Sequence, residues 1–389
     1  CSGCTACMAC CPKEAISMCA DEEGFKYPVI DRNRCVECGK CVRTCPITNK
    51  QKKNSVVASY IAINNNRDQR EASASGGLFS VIAHYVLEKN GVVFGAAYDE
   101  KLRVKHTAIE HEADLRKLRM SKYVQSDLGD TFKQVDKYLK ADRIVLFSGT
   151  PCQVAGLRAY INREDANLIL LDLVCHGVPS PKLFEDYKAA LSEKYESDIQ
   201  NIYFRRKVLG HHLSTIAVRF SNGKLIHSRR LVKSYPRLWF AGFASRPSCY
   251  ACSFKEEDRV SDFTLFDSFK SAGQYGFKDD DMGLSNVYIR TQKAIDLWKQ
   301  IMAQVTAVKT ETAVTNKNDG DMIYESAVKN KARAEFWSDY GKLSYTELLD
   351  KYIPYSKKEA IMDIVKRVMV STSLSKNLKI KKLLTKIKK

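Results

Sequence analysis

The first fifty residues write one run of four cysteines twice. Cys1, Cys4, Cys7 and Cys11 precede Pro12, and Cys35, Cys38, Cys41 and Cys45 precede Pro46. The C-x2-C-x2-C-x3-C-P spacing suits a 4Fe-4S cube, because three thiolates come from one tight loop while the fourth serves the other cluster. Two clusters are therefore expected, one on Cys1, Cys4, Cys7 and Cys45, the other on Cys35, Cys38, Cys41 and Cys11. A zinc site needs only two C-x2-C pairs on a longer spacer, so the third cysteine and the one before proline are surplus to it. Gly3 and Gly39 lie inside the loops, where backbone N–H groups turn towards sulfur and a side chain would obstruct them. Cys10 and Cys19 fall outside the pattern and read as small buried apolar residues.

Cluster ligands must stay thiolates, so the fourteen cysteines point to a reducing compartment and to the cytoplasm rather than to a secreted disulfide framework. At 389 residues the chain is long enough for two or three compact units. Its longest apolar runs, such as Leu168 to Val174 interrupted by Asp172, are too short to span a bilayer. The chain opens on Cys1 rather than methionine, so its natural start is expected upstream. The net charge of +18 is unevenly placed. Residues 1–50 are nearly neutral, whereas Lys366 to Lys389 carries nine basic residues and no acid. Such a tail is expected to dock on an acidic partner or a membrane surface. No zinc finger, RNP or helix-turn-helix pattern accompanies it, so specific nucleic-acid reading is not expected.

A polar linker from Asn49 to Asn54 leads to an expected strand over Val56 to Ile63. Ser75-Gly76-Gly77 then opens a helix whose start exposes N–H groups suited either to a phosphate or to simple capping. Strands are expected at Gly91 to Tyr98 and Arg103 to Ile109, and helices at Leu115 to Met120 and Phe132 to Leu139. Between these helices, Ser121-Lys122-Tyr123-Val124-Gln125-Ser126 offers a cation, an aromatic ring and hydroxyls, and reads as a diphosphate seat or an ordinary turn. The strand at Ile144 to Phe147 ends in Thr150-Pro151-Cys152-Gln153. The strand at Leu168 to Val174 ends in Cys175-His176, and a helix follows from Leu183 to Leu191. This strand, turn, helix order puts ligands at the carboxyl edge of a parallel sheet. Cys152 and Cys175, with the knuckle Cys249 and Cys252, make a set of four for a third iron–sulfur cluster or zinc; as an alternative, Cys152 and Cys175 are buried structural thiols. Strands at Ile199 to Phe204, Thr215 to Phe220 and Leu225 to Arg229 surround His211 and His212, of which one is a candidate proton donor beside a flavin. Beyond the strand Asp262 to Asp267 the chain reads as helical and polar. Ile361, Ile364, Val365, Val368 and Met369 form one apolar stripe, and Ile380, Leu383, Leu384 and Ile387 another.

Taken together, the two cluster runs, Ser75-Gly76-Gly77, Ser121 to Ser126, Gly149-Thr150-Pro151-Cys152-Gln153, Cys175-His176-Gly177-Val178-Pro179-Ser180-Pro181 and Arg246-Pro247-Ser248-Cys249-Tyr250-Ala251-Cys252 resemble the coenzyme F420 hydrogenase/dehydrogenase beta-subunit family. The resemblance is to its bacterial form with a fused ferredoxin domain, F420 being a deazaflavin, and covers about residues 1–300. It implies an α+β or α/β architecture. A ferredoxin-type double-cluster domain (1–50) would be followed by an FAD-binding domain (55–145), the C-terminal domain of the beta-subunit family (146–305) and a helical basic extension (306–389). It also implies FAD held by Ser75, Gly76, Gly77, Ser121, Lys122, Tyr123, Gln125, Ser126, Thr150, Pro151 and Gln153, and a third 4Fe-4S cluster on Cys152, Cys175, Cys249 and Cys252. The chain departs from the family at Phe266 to Lys270 and at Arg206, which places the substrate side in an altered setting.

The resulting expectation is an iron–sulfur flavoprotein oxidoreductase. Clusters pass single electrons, hydride chemistry needs two, and a flavin joins them. Ferredoxin or another redox protein is the expected partner, with a small organic hydride acceptor or donor, coenzyme F420 or another. No catalytic residue is assigned. The alternative is a non-catalytic electron-transfer subunit of a larger complex, one linked to polysaccharide biosynthesis being an example. No G-x-G-x-x-G occurs, so a dinucleotide-binding fingerprint does not hold the flavin.

Overall fold

The computed structural model describes residues 1–372. Strands β1 (Ile16–Ala20) and β2 (Lys26–Ile30) form an antiparallel hairpin between the two N-terminal cysteine loops. The body contains β3 (Ala58–Asn64), β4 (Val92–Tyr98), β5 (Val104–Ile109), β6 (Val145–Gly149) and β7 (Leu168–Leu173). It continues with β8 (Ile199–Arg206), β9 (Thr215–Phe220), β10 (Leu225–His227), β11 (Phe263–Asp267), β12 (Ser285–Ile289) and β13 (Val305–Thr310). Eight of these strands make one mixed sheet in the order β13-β3-β12-β11-β7-β6-β4-β5. Strands β11, β7, β6 and β4 run parallel at its centre. Val145, Leu146 and Phe147 in β6 and Leu168 to Leu171 in β7 are all buried, as expected of parallel strands covered on both faces.

The expected strands up to Asp267 therefore exist, with ends shifted by a few residues. The expectation that everything beyond Asp267 is helical is corrected by β12 and β13. Strand β12 is buried along its whole length although it begins Ser285-Asn286. Its polar side chains are used inside: Asn286 Nδ2 donates to Asp267 O at 2.9 Å, and Ser285 Oγ accepts from Gly76 N at 3.0 Å. These bonds span long sequence separations and leave no local signal. The sheet draws strands from the expected 55–145 and 146–305 segments alike, and β13 reaches past residue 305.

A second core lies beside the sheet. There the antiparallel β8, β9 and β10 meet helices Pro181–Tyr195 and Arg230–Phe240 through Phe184, Tyr187, Phe204, Val218, Tyr235 and Trp239. Near the end of the described chain, helix Lys357–Ser371 places Val365 and Met369 against Leu209 and Leu213. Ile361, Ile364 and Val368 face outward, so the expected single stripe is split. The second stripe, from Ile380, lies outside the described residues. Among the described residues no helix is long and apolar enough to cross a membrane.

Candidate functional site: two cysteine groups and a basic cavity

The two N-terminal loops repeat in backbone as well as in sequence. Each places its third and fifth residues at positive φ: Gly3 (73°) and Thr5 (63°) in the first, Glu37 (51°) and Gly39 (68°) in the second. Short helices Ala6–Ala9 and Lys40–Arg43 follow. Cys45, from the second run, acts electrostatically on Cys4 and Cys7 of the first. Burial raises both of those thiols, Cys7 to about 11, and Cys45 adds to the rise. Burial also raises Cys10, which sits near Cys41 and Cys11. The loops differ in setting. Cys4 is only 9% exposed, whereas Cys38 is exposed and Cys35 and Cys41 are half-buried. Cys10 is buried as expected, but Cys19 is exposed on β1, so the reading of it as a buried apolar residue is corrected.

The first loop is pinned to the rest of the protein. A Cβ on Gly156, in helix Pro151–Ile161, would stand 2.8 Å from Cys4 Cβ and 2.9 Å from its Sγ, so that helix lies directly on the loop. Arg246, with no exposed surface, donates from Nε to Cys1 O, from Nη1 to Gln125 Oε1 and from Nη2 to Lys26 O, each at 3.0 Å. Its guanidinium lies 4.1 Å from the Tyr27 ring centroid. Gln125 Nε2 donates to Ser2 O at 3.0 Å. Gly3 has no room for a side chain because Gln125 and Arg246 occupy that space.

Cys152, Cys175, Cys249 and Cys252 come together. Cys152 opens the helix after β6, Cys175 follows the neighbouring β7, and the knuckle lies on the 3-10 turn Pro247–Ala251. All four line one cavity of about 160 Å³, with Cys1 and Ser2 in the same wall. Burial pushes Cys152 and Cys175 up and Cys249 to about 12, and the thiols raise one another further. Three cations surround them. Lys255 Nζ donates to Cys175 O at 2.5 Å, and Arg259 lies 3.4 Å from Asp172. Arg246 makes no ion pair with a carboxylate among the described residues; burial lowers it, and Tyr27, Cys249, Cys152 and Asp21 act against that. A buried guanidinium without a carboxylate is costly unless an anion stands nearby, which a thiolate-ligated cluster is. No three Cys, His, Asp or Glu side chains among the described residues converge as one metal ion requires.

A larger cavity, of about 940 Å³, opens between helix Arg67–Glu71, residues 116–122 and the strand β8 with its exit. Six basic residues line it, Arg116, Lys117, Arg119, Lys122, Arg206 and Lys207, against Asp68, Glu71 and Asp99. Burial lowers Lys122 and Lys207 to about 7 each. Lys122 Nζ donates to Arg119 O at 2.8 Å, and Lys207 Nζ to Arg70 O at 2.6 Å and Ser75 O at 2.9 Å. The residue types fit an anionic, diphosphate-bearing ligand.

Of the eleven residues expected around FAD, Ser121 and Lys122 line this cavity, and Lys207 links Ser75 to its wall. Thr150 and Pro151 line the cysteine cavity instead. Gly76 and Gly77 do lead into helix Leu78–Glu88, but the Gly76 N–H is already bonded to Ser285 Oγ, and a Cβ there would meet Ala62 O at 2.7 Å. Glycine is therefore needed at this point by the sheet. The Tyr123 ring packs among Phe204, Trp239 and Phe240. Gln153 caps its helix with Thr150 and donates from Nε2 to Ser126 Oγ at 2.9 Å; Ser126 in turn meets His106 Nδ1 at 2.9 Å. Half-buried His106, which desolvation lowers to about 4, is neutral, with Nε2 donating to Ser148 O at 3.0 Å. His211 is tied to Arg205 and Asp267 and stacks on Phe269. Burial acts to raise Asp267, but Arg205 and His211 outweigh it and hold that carboxyl well below the usual range. Sequence reading missed Lys207, Arg119 and Arg246 as site residues. The first two look like ordinary surface cations, and Arg246 differs from them only in being buried.

Residues 142–330 match the family described as the C terminus of the coenzyme F420 hydrogenase/dehydrogenase beta subunit, and residues 1–49 match the 4Fe-4S dicluster domain. A second 4Fe-4S dicluster match covers residues 27–74. The chain thus joins a segment matching 4Fe-4S dicluster domains to one matching the C terminus of the F420 hydrogenase/dehydrogenase beta subunit, an iron–sulfur electron-transfer protein related to that subunit. Among solved structures it is similar to a chain in xenon-derivatised F420-reducing [NiFe] hydrogenase complex from Methanosarcina barkeri. That match has 17% identity and a TM-score of 0.48, covering 69% of this chain and 89% of the other. No curated protein matches.

Proposed function

We propose that the chain is an iron–sulfur flavoprotein oxidoreductase of the cytoplasm, with FAD in the basic cavity and a third 4Fe-4S cluster on Cys152, Cys175, Cys249 and Cys252. The observation that carries this reading is the shared wall: Cys1 and Ser2 of the first cluster loop border the cavity lined by those four cysteines. When bound, the clusters supply one-electron transfer and the flavin converts it to hydride chemistry with an organic acceptor or donor. Arg246 fastens the first loop to the knuckle and holds positive charge between the two cysteine groups. Lys255 and Arg259 offset negative charge on the far side. Lys122, Lys207, Arg119 and Arg206 offer the cations that a buried diphosphate needs, and the half-buried position of Lys122 strengthens its pull. The double-cluster domain at 1–50 takes the electron entry ahead of the 55–145 and 146–305 segments, which share one sheet, and is fastened to them by Arg246 and Gln125.

The test is anaerobic purification followed by iron and flavin quantification. The expected result is three clusters' worth of iron with FAD, and loss of one cluster's worth in Cys175→Ser. Iron for only two clusters in the wild type would remove the third site. Turnover with dithionite and candidate acceptors then separates an enzyme from a relay protein, which would bind both cofactors and turn nothing over.

A further inference from the structure

The two cysteine runs are alike in cysteine spacing and differ in setting. The first is covered by helix Pro151–Ile161, Gln125 and Arg246. The second faces outward: Cys38 is exposed, Val36 beside Cys35 is 58% exposed, and Val42 beside Cys41 is 59% exposed. Val29 and Ile30, at the end of β2 leading into this loop, are exposed as well. Arg32, Arg34, Lys40 and Arg43 are exposed on the same stretch, against Asp31 and Glu37. No ion pair joins any of these six among the described residues; Arg43 Nη2 donates to Cys38 O at 3.0 Å, and Asp31 Oδ1 accepts from Asn33 N. Apolar residues rimmed by free cations at a redox centre have the composition of a transient protein contact.

We infer that this face, from Val29 to Arg43, is the docking surface for an acidic one-electron carrier protein, and that electrons cross at the second cluster rather than the first. The inference rests on the reading of Cys35, Cys38, Cys41 and Cys11 as cluster ligands. The step itself moves one electron: the carrier is oxidised by one as the cluster is reduced by one, and no bond or proton changes place. The charge argues for the occupant. Unpaired arginine and lysine around an apolar centre attract an acidic surface and repel a basic one, and an encounter steered in this way is weakened by salt. In the first run only Cys1 is exposed, while Cys4 lies against Gly156 and Cys7 is half-buried, so that loop offers a smaller open face. It is the inward partner, beside the cavity that Cys1 shares with the second cysteine group.

The experiment titrates an acidic plant-type [2Fe-2S] ferredoxin, as probe, into the anaerobically loaded full chain by calorimetry, with a basic cytochrome c as the charge control. The expected result is ferredoxin binding that the pair Arg34→Glu and Lys40→Glu weakens about tenfold at low salt, with the difference lost near roughly 0.5 M salt. Iron is measured on the same samples. If the pair loses iron, Arg32→Glu with Arg34→Glu, both outside the ligand run, replaces it in the same titration. Unchanged affinity with full iron overturns the docking surface and leaves the cluster reading standing. Absence of iron from the wild type overturns both. Loss of binding on truncation after Val370, with the charge-reversed pair binding normally, moves the partner to the basic tail and also overturns the proposal.

Discussion

Arg246 meets no solvent and no carboxylate, so its charge is held in place by three acceptors, Cys1 O, Lys26 O and Gln125 Oε1. Arg246→Met should loosen the first cluster loop by on the order of 1.5 to 3 kcal/mol for each charged hydrogen bond lost. It should also lower the midpoint potential of the adjacent clusters, because a fixed cation favours the more negative reduced state. A redox titration followed by electron paramagnetic resonance checks this; unchanged potentials in a fully loaded variant would leave Arg246 a purely mechanical strut. Lys122 gives a second prediction. Lys122→Ala should weaken FAD retention by on the order of 1.5 to 3 kcal/mol, with iron content intact, as read by flavin titration. Its pH dependence has a definite sign. Burial puts the free protein's Lys122 and Lys207 near 7, and a bound diphosphate would raise both. Binding then takes up protons above pH 7, so flavin affinity should fall as pH rises from about 7, and be flat below it. Affinity that rises over this range would remove the lysines from the ligand.

At the scale of elements, helix Pro151–Ile161 joins the sheet to the first cluster loop. Its capping box between Thr150 and Gln153 sets its start at the end of β6, and Gly156 lets it touch Cys4. Gly156→Val should push that loop away, at a cost of roughly 1 to 3 kcal/mol for overpacking, with selective loss of iron from the first cluster. Iron analysis beside a thermal melt checks this: normal iron with a lowered melting temperature would place the strain in the helix alone. Gly76→Val belongs to the same scale for a different reason. The close approach at Gly76 is to Ala62 O and Ser285 N in the sheet, so the substitution should destabilise the fold as a whole, with flavin lost only as the protein unfolds.

For the whole molecule, the outward placement of the second loop predicts that Cys38→Ser removes one cluster's iron and blocks exchange with an external carrier, while FAD stays bound. Flavin and iron measured on one sample check it, and joint loss of both would show that the double-cluster domain is not a separate module. What the sequence alone determined about this protein is its local chemistry. The cysteine spacings mark the dicluster domain that residues 1–49 match, and the apolar runs of β6 and β7 announce buried parallel strands whose ends carry Cys152 and Cys175. Strand β12 stayed hidden, since the buried Ser285 and Asn286 side chains bond to Gly76 and Asp267, distant in sequence, and so did the part of Arg246, whose partners lie more than a hundred residues away. The two runs share their cysteine and proline positions, and the residues between are uncharged in the first and partly charged in the second. Only the tertiary structure decided that the first lies against Gly156 and Arg246 while the second faces out, because burial is a property of what packs against a loop and not of the loop itself.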